Sequence, residues 1–222
     1  MKIRNYRFTP EDVDCRYCVK YLHGRCRAGI CPWINERVEA GTVDYREAVD
    51  ETFLEYLPLR RRAKLVSATA SNRFWRDDAH RERFAMAQAI FGWYKRRNTS
   101  AYYAALFLLT SNRELFERCA DCFTRNRIDF RFATLRGIST DNYALFKTAK
   151  SLYLESAEVG VDELADPELV GIEPFRLVVN AMLIRRYGLS ATGLQDEGMD
   201  HGIFCNQLSQ GVYHNAQHPA AG

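Results

Sequence analysis

The sequence predicts a mainly α-helical fold: a multi-helix domain behind an N-terminal four-cysteine zinc loop, with at most a small β element. Three observations predict it. From Val43 onward apolar residues recur at helical spacing over most of the chain. Ser and Thr-type residues stand where those runs begin, as helix caps do. Cys15, Cys18, Cys26 and Cys31 crowd into 17 residues near the front. With 222 residues, 47% of them hydrophobic and 13% aromatic, the chain can bury a sizeable core without disulfides.

The predicted organisation is a zinc-binding loop and short helix over 1–41, a helical domain over 42–188, and an extended or flexible tail over 189–222. Thr9-Pro10-Glu11-Asp12 has the form of a short helical turn, with a capping threonine, proline in the first turn and acids at the positive end of the dipole. Cys31-Pro32-Trp33 opens a short helix running to about Ala40, stopped by Gly41. In the next helix Val49, Phe53, Leu54 and Leu57 share a face, while Glu47, Glu51 and Glu55 repeat on another. Pro58 breaks that helix, and 59–70 begins another. Phe84, Ala87, Ile90, Phe91 and Tyr94 mark a helix ending in Lys95-Arg96-Arg97, and 102–109 is an apolar, buried helix.

Leu115-Phe116 with Phe123, and Leu145-Phe146 with Tyr153, repeat one spacing behind Ser111-Asn112 and Ser139-Thr140, which predicts two similar helical elements. Between them, residues 128–132 alternate apolar with charged side chains and form the best strand candidate. Residues 174–187 form a last helix capped by Gly188.

The net charge of +3 conceals a division along the chain. Residues 1–57 carry 9 Lys/Arg against 10 Asp/Glu, residues 58–136 carry 17 against 7, and residues 137–222 carry 5 against 11. The basic middle suits an acidic protein surface or a nucleic-acid backbone, and the acidic last third opposes a duplex lying across the whole molecule. Arg60, Arg61, Arg62, Lys64, Lys95, Arg96 and Arg97 are the candidate contacts; a set of solvated helix faces is the plainer alternative. No apolar run approaches the ~18 residues a membrane span requires. Seven cysteines, four of them clustered, suit metal ligation in a reducing compartment, so a cytoplasmic protein with no membrane partner is expected.

The spacing Cys15-x2-Cys18-x7-Cys26-x4-Cys31 carries the chemistry. A two-residue gap lets two sulfurs point at one ion from a tight turn, and two more thiolates complete a tetrahedron, for which zinc is the expected occupant. An iron–sulfur cluster also takes four thiolates, but this spacing departs from the ferredoxin patterns. His23, separated from Cys18 by four residues, is the alternative to Cys26. A closed four-ligand site leaves no position for water, so the ion is structural.

Cys119 and Cys122 are read as core residues on one helix face. His201, Cys205, His214 and His218 are spaced to gather a second ion if the tail is helical, and a metalloenzyme built there is a minor alternative. Asp77 and Asp78 before His80 read as helix-start acids, and Glu47, Glu51 and Glu55 as a solvated face. No hydrolase, nucleotide-binding or dinucleotide motif stands in the sequence, and a non-enzyme is expected.

The run from Phe8-Thr9-Pro10-Glu11-Asp12 to Cys15-Arg16-Tyr17-Cys18, continuing to Cys31-Pro32-Trp33, resembles small cysteine-rich proteins carried by conjugative and phage-like elements of Gram-positive gut bacteria. The stretch 128–153, with Leu135-Arg136-Gly137-Ile138-Ser139, is similar to the same group, and the resemblance covers about a third of the chain. Accessory proteins of such elements include anti-CRISPR inhibitors, some of them small, zinc-containing and without catalytic motifs. The resemblance implies a partner, a type II CRISPR effector nuclease, which the protein keeps from loading target DNA. The alternative function is a nucleic-acid-binding accessory or regulatory protein of a mobile element.

Overall fold

The computed structural model describes residues 3, 21–23, 25–26, 45–69, 74–91, 98–124 and 127–194. Within them the chain is mainly helical. Helices α1 (Tyr45–Thr52), α2 (Leu57–Thr69), α3 (Asp78–Phe91), α4 (Ser100–Thr110), α5 (Arg113–Arg118), α6 (Thr140–Leu154), α7 (Val161–Ala165) and α8 (Ile172–Tyr187) follow in order. Ahead of them, β1 (Tyr21–Leu22) and β2 (Arg25–Cys26) form a two-stranded antiparallel pair. No helix among the described residues is long and apolar enough to cross a membrane.

Helix α4 lies at the centre, packed chiefly between α6 and α8. Its sequence is apolar all round, and every residue except Ala101 is buried, as a helix with neighbours on all sides requires. Thr99 caps it, its hydroxyl accepting from the Tyr102 N–H at 3.2 Å. Helix α8 is nearly as deeply placed and touches α1, α2, α4 and α6. Because so much of it is buried, its polar side chains find partners inside. Asn180 receives the Tyr45 hydroxyl at 2.7 Å and donates to the Phe74 carbonyl at 2.7 Å, which holds α1 and the bend before α3 against α8. Arg185 donates to Glu155 at 2.6 Å, and Glu155 ends α6 with φ 53, a left-handed conformation uncommon outside glycine. Gly188, with φ 78, ends α8 as expected from the sequence.

Asn112 and Ser139 cap α5 and α6 through the N–H groups of Leu115 and Asn142. The two helices are nonetheless unlike. Helix α5 stops at Arg118 and α6 runs to Leu154, because the chain after Arg118 is captured by long-range bonds: Thr134 N–H donates to the Arg118 carbonyl at 3.0 Å and Asp129 N–H to the Cys122 carbonyl at 2.7 Å. Phe123 therefore falls outside the helix and forms an isolated bridge with Ile128.

The expected strand over 128–132 is replaced by a 3-10 turn, Phe130–Phe132. Asp129 causes this: its carboxylate accepts from the Arg131 backbone N–H at 3.3 Å and from the Arg131 guanidinium at 2.6 Å, closing the backbone on itself. Phe130 then packs on Phe146 and Tyr153 with ring centroids 5.5 and 5.9 Å apart, whereas Phe132 is exposed.

Two further expectations are corrected. Helix α1 ends at Thr52, so Val49 and Phe53 are buried but Leu54 and Leu57 are exposed; Pro58 sits in the first turn of α2, where no amide hydrogen is needed. Leu189–Leu194, assigned by sequence to the tail, forms a 3-10 helix packed on α8 with Ser190 and Ala191 buried. The remainder of the tail and the predicted elements over 9–12 and 31–40 lie outside the described residues.

Candidate functional site

The proposed metal ligands Cys15, Cys18 and Cys31, and the Cys26 side chain, lie outside the described residues. The backbone between them is informative. Tyr21 pairs with Cys26 and Leu22 with Arg25, which leaves only His23 and Gly24 in the connection. Residues paired across an antiparallel ladder have Cα atoms ~4.5–5.5 Å apart. The chain is folded back between Tyr21 and Cys26, and Tyr21 stands three residues past Cys18 in the sequence. His23 stands at the far end of that hairpin, exposed and with φ 51.

The basic run on α2 divides by direction. Arg61 is exposed, Arg60 is half-buried, and Lys64 pairs with Asp50 at 3.3 Å. Arg62 is turned inward. Its guanidinium donates to the carbonyls of Leu164 at 2.7 Å, Asp166 at 3.2 Å and Val170, and lies 4.2 Å above the Phe175 ring. Arg62 thus pins the segment between α7 and α8 onto α2. Replacing it with methionine is expected to destabilise the fold by about 2–3 kcal/mol, because carbonyls held by a charged donor lose their partner. Arg61→Met is expected to stay within about 0.5 kcal/mol, and urea unfolding of the two variants checks the contrast. Lys95, Arg96 and Arg97 lie outside the described residues, as do His201, Cys205, His214 and His218.

Glu47, Glu51 and Glu55 are all exposed, as a solvated face is, and Glu51 also reaches α8. Glu51 accepts from the Tyr187 hydroxyl at 2.6 Å and from Arg186 at 3.0 Å, so it fastens α1 to the end of α8; burial and this hydrogen bond raise the Tyr187 pKa above its ordinary value. Asp77 is a helix-start acid, as expected: its carboxylate accepts from the His80 N–H at 2.6 Å.

His80, given no role by the sequence, is fully buried and satisfied on both ring nitrogens. Nδ1 accepts from the Arg76 N–H at 3.2 Å, which fixes the neutral tautomer whose Nε2–H donates to the Phe107 carbonyl at 2.8 Å. Trp75 and Phe107 flank the imidazole with ring centroids 5.0 and 4.6 Å away. Burial is the main reason its pKa falls to about 3, with Arg83 and Arg76 lowering it further against the Phe107 carbonyl and Asp77. No sequence signal marked this residue, because a lone histidine on an apolar face has no motif.

Cys119 and Cys122 are buried, as the core reading requires, but lie beyond the end of α5, where Cys122 closes the 3-10 turn Ala120–Cys122. Among the described residues no group of three or more His, Cys, Asp or Glu side chains is arranged to hold a metal ion. Comparison of the chain with protein-family models, with curated proteins and with solved structures finds no match.

Proposed function

We propose that this protein is a non-catalytic, zinc-stabilised helical binder that inhibits a type II CRISPR effector nuclease by keeping it from loading target DNA. The choice of partner rests on the resemblance carried by the cysteine-rich N-terminal segment and residues 128–153. Cys15, Cys18, Cys26 and Cys31 hold one structural zinc ion, and the short hairpin that pairs Cys26 with Tyr21, three residues past Cys18 in the sequence, supports that ligand set. The ion supplies rigidity to a loop too short and polar to fold by burial alone.

The observation that carries a binding role is on α2. Leu57, Arg61 and Leu65 are exposed along one side of that helix, while its neighbour Arg62 is committed to the interior. Apolar side chains with an arginine among them match the make-up of protein contact surfaces, in which arginine is a frequent anchor. Charge complementarity with a nuclease surface would then set orientation and association rate.

A cleavage assay with purified effector, guide RNA and target DNA tests the reading. Excess protein added before the target is expected to abolish cleavage, and Arg61→Glu to weaken that inhibition. Normal cleavage with excess protein present contradicts it. A salt-sensitive gel shift with free DNA would instead support the second reading, a nucleic-acid-binding accessory protein using Arg61 and Lys95-Arg96-Arg97.

A further inference from the structure

Cys119 and Cys122 have a geometry that core packing does not require. The Cys122 N–H donates to the Cys119 carbonyl at 3.0 Å, closing a turn of the kind whose end Cα atoms lie within ~7 Å of each other. Native disulfides join Cα atoms ~4.4–6.8 Å apart, so the backbone already holds the two residues at bridging distance. Both thiols are free and buried, yet Ala120 and Asp121 between them are exposed, so the pair lies just beneath the surface of a short 3-10 turn.

We propose that Cys119 and Cys122 form a dithiol–disulfide couple, a modification site on the helical body whose co-reactant is a low-molecular-weight disulfide. Either sulfur can begin the exchange, for instance Cys122. Its thiolate displaces one thiolate from the small disulfide, leaving a mixed disulfide on Cys122. Cys119 then gives up its proton and attacks the Cys122 sulfur, releasing the second small thiol. One small disulfide is reduced to two thiols, and two protein thiols are oxidised to one bond. Access requires that the 120–122 turn open, which releases bonds such as those from the Asp129 and Thr124 N–H groups to the Cys122 carbonyl and the Phe123–Ile128 bridge.

Trypsin provides a direct readout, because cleavage after Arg118 and Arg125 releases both cysteines in one peptide, Cys119-Ala-Asp-Cys-Phe-Thr-Arg125. The zinc-loaded full chain is incubated with glutathione disulfide under native conditions, quenched in acid, alkylated and digested. The expected product is this peptide lighter by two hydrogens, refractory to alkylation and restored by dithiothreitol. In Cys119→Ser and in Cys122→Ser the reaction is expected to stop at a glutathione adduct on the remaining cysteine. A doubly alkylated peptide at every glutathione ratio overturns the proposal. So does a bridge that forms only in denaturant, a comparison made on the wild-type chain and independent of whether either variant folds.

Discussion

Between pH 7 and pH 5 the folded protein is expected to lose about 2 kcal/mol of stability through His80 alone. The unfolded chain carries this imidazole near its ordinary value of 6.5, whereas in the folded protein it stays neutral down to about 3. As pH falls below 6.5 the unfolded ensemble binds a proton that the folded state refuses, so stability declines by about 1.4 kcal/mol per pH unit until the folded value is reached. The full loss across that window is about 5 kcal/mol, and the stabilisation is complete above it. The cause is structural: a charged ring would lose the Arg76 N–H donor, sit between Trp75 and Phe107 away from water, and face the arginines at 76 and 83. Urea unfolding at several pH values checks this. A His80→Gln variant, less stable at pH 7, is expected to show a much flatter pH dependence above pH 5; a slope equal to that of the wild type would contradict the assignment.

Metal removal is expected to have a still larger effect, confined at first to the front of the chain. Structural zinc in small peptide sites is bound with ~10–16 kcal/mol, which is folding free energy when the loop has no core of its own. Treatment with a strong chelator is therefore expected to unfold at least residues 12–40. The helical body should retain its helical signal, because α4 remains enclosed by α6 and α8. Hydrogen exchange followed by peptide mapping measures both outcomes. Unchanged protection of 12–40 after the metal is stripped would contradict a metal-organised loop.

Local chemistry made several helix ends legible before the structure. Ser111-Asn112, Ser139-Thr140 and Gly188 mark helix boundaries with side chains or backbone conformations that act within a few residues, and α4 is apolar enough to be read as buried. Features decided by distant partners were hidden. The alternation at 128–132 is a fair strand signal, but Asp129 pulls Arg131 into a turn and the Cys122 carbonyl captures the Asp129 amide. Leu115-Phe116 and Leu145-Phe146 share a spacing, yet the bonds from Thr134 and Asp129 end the first helix early. Arg61 and Arg62 are identical in type and adjacent; only the packing of 164–170 against α2 makes one a surface charge and the other a clamp. Of the candidate site, the two-residue connection between Leu22 and Arg25 adds what spacing could not: Cys26 sits in a strand beside Tyr21, and His23 at the hairpin tip.

Zinc content of the purified full-length chain, measured by elemental analysis alongside two variants, tests the metal-centred account most directly. One zinc per chain is predicted for the wild type and for His23→Gln, with marked loss in Cys26→Ser. A wild-type protein free of metal, or a zinc ion lost with His23 and kept without Cys26, would contradict it.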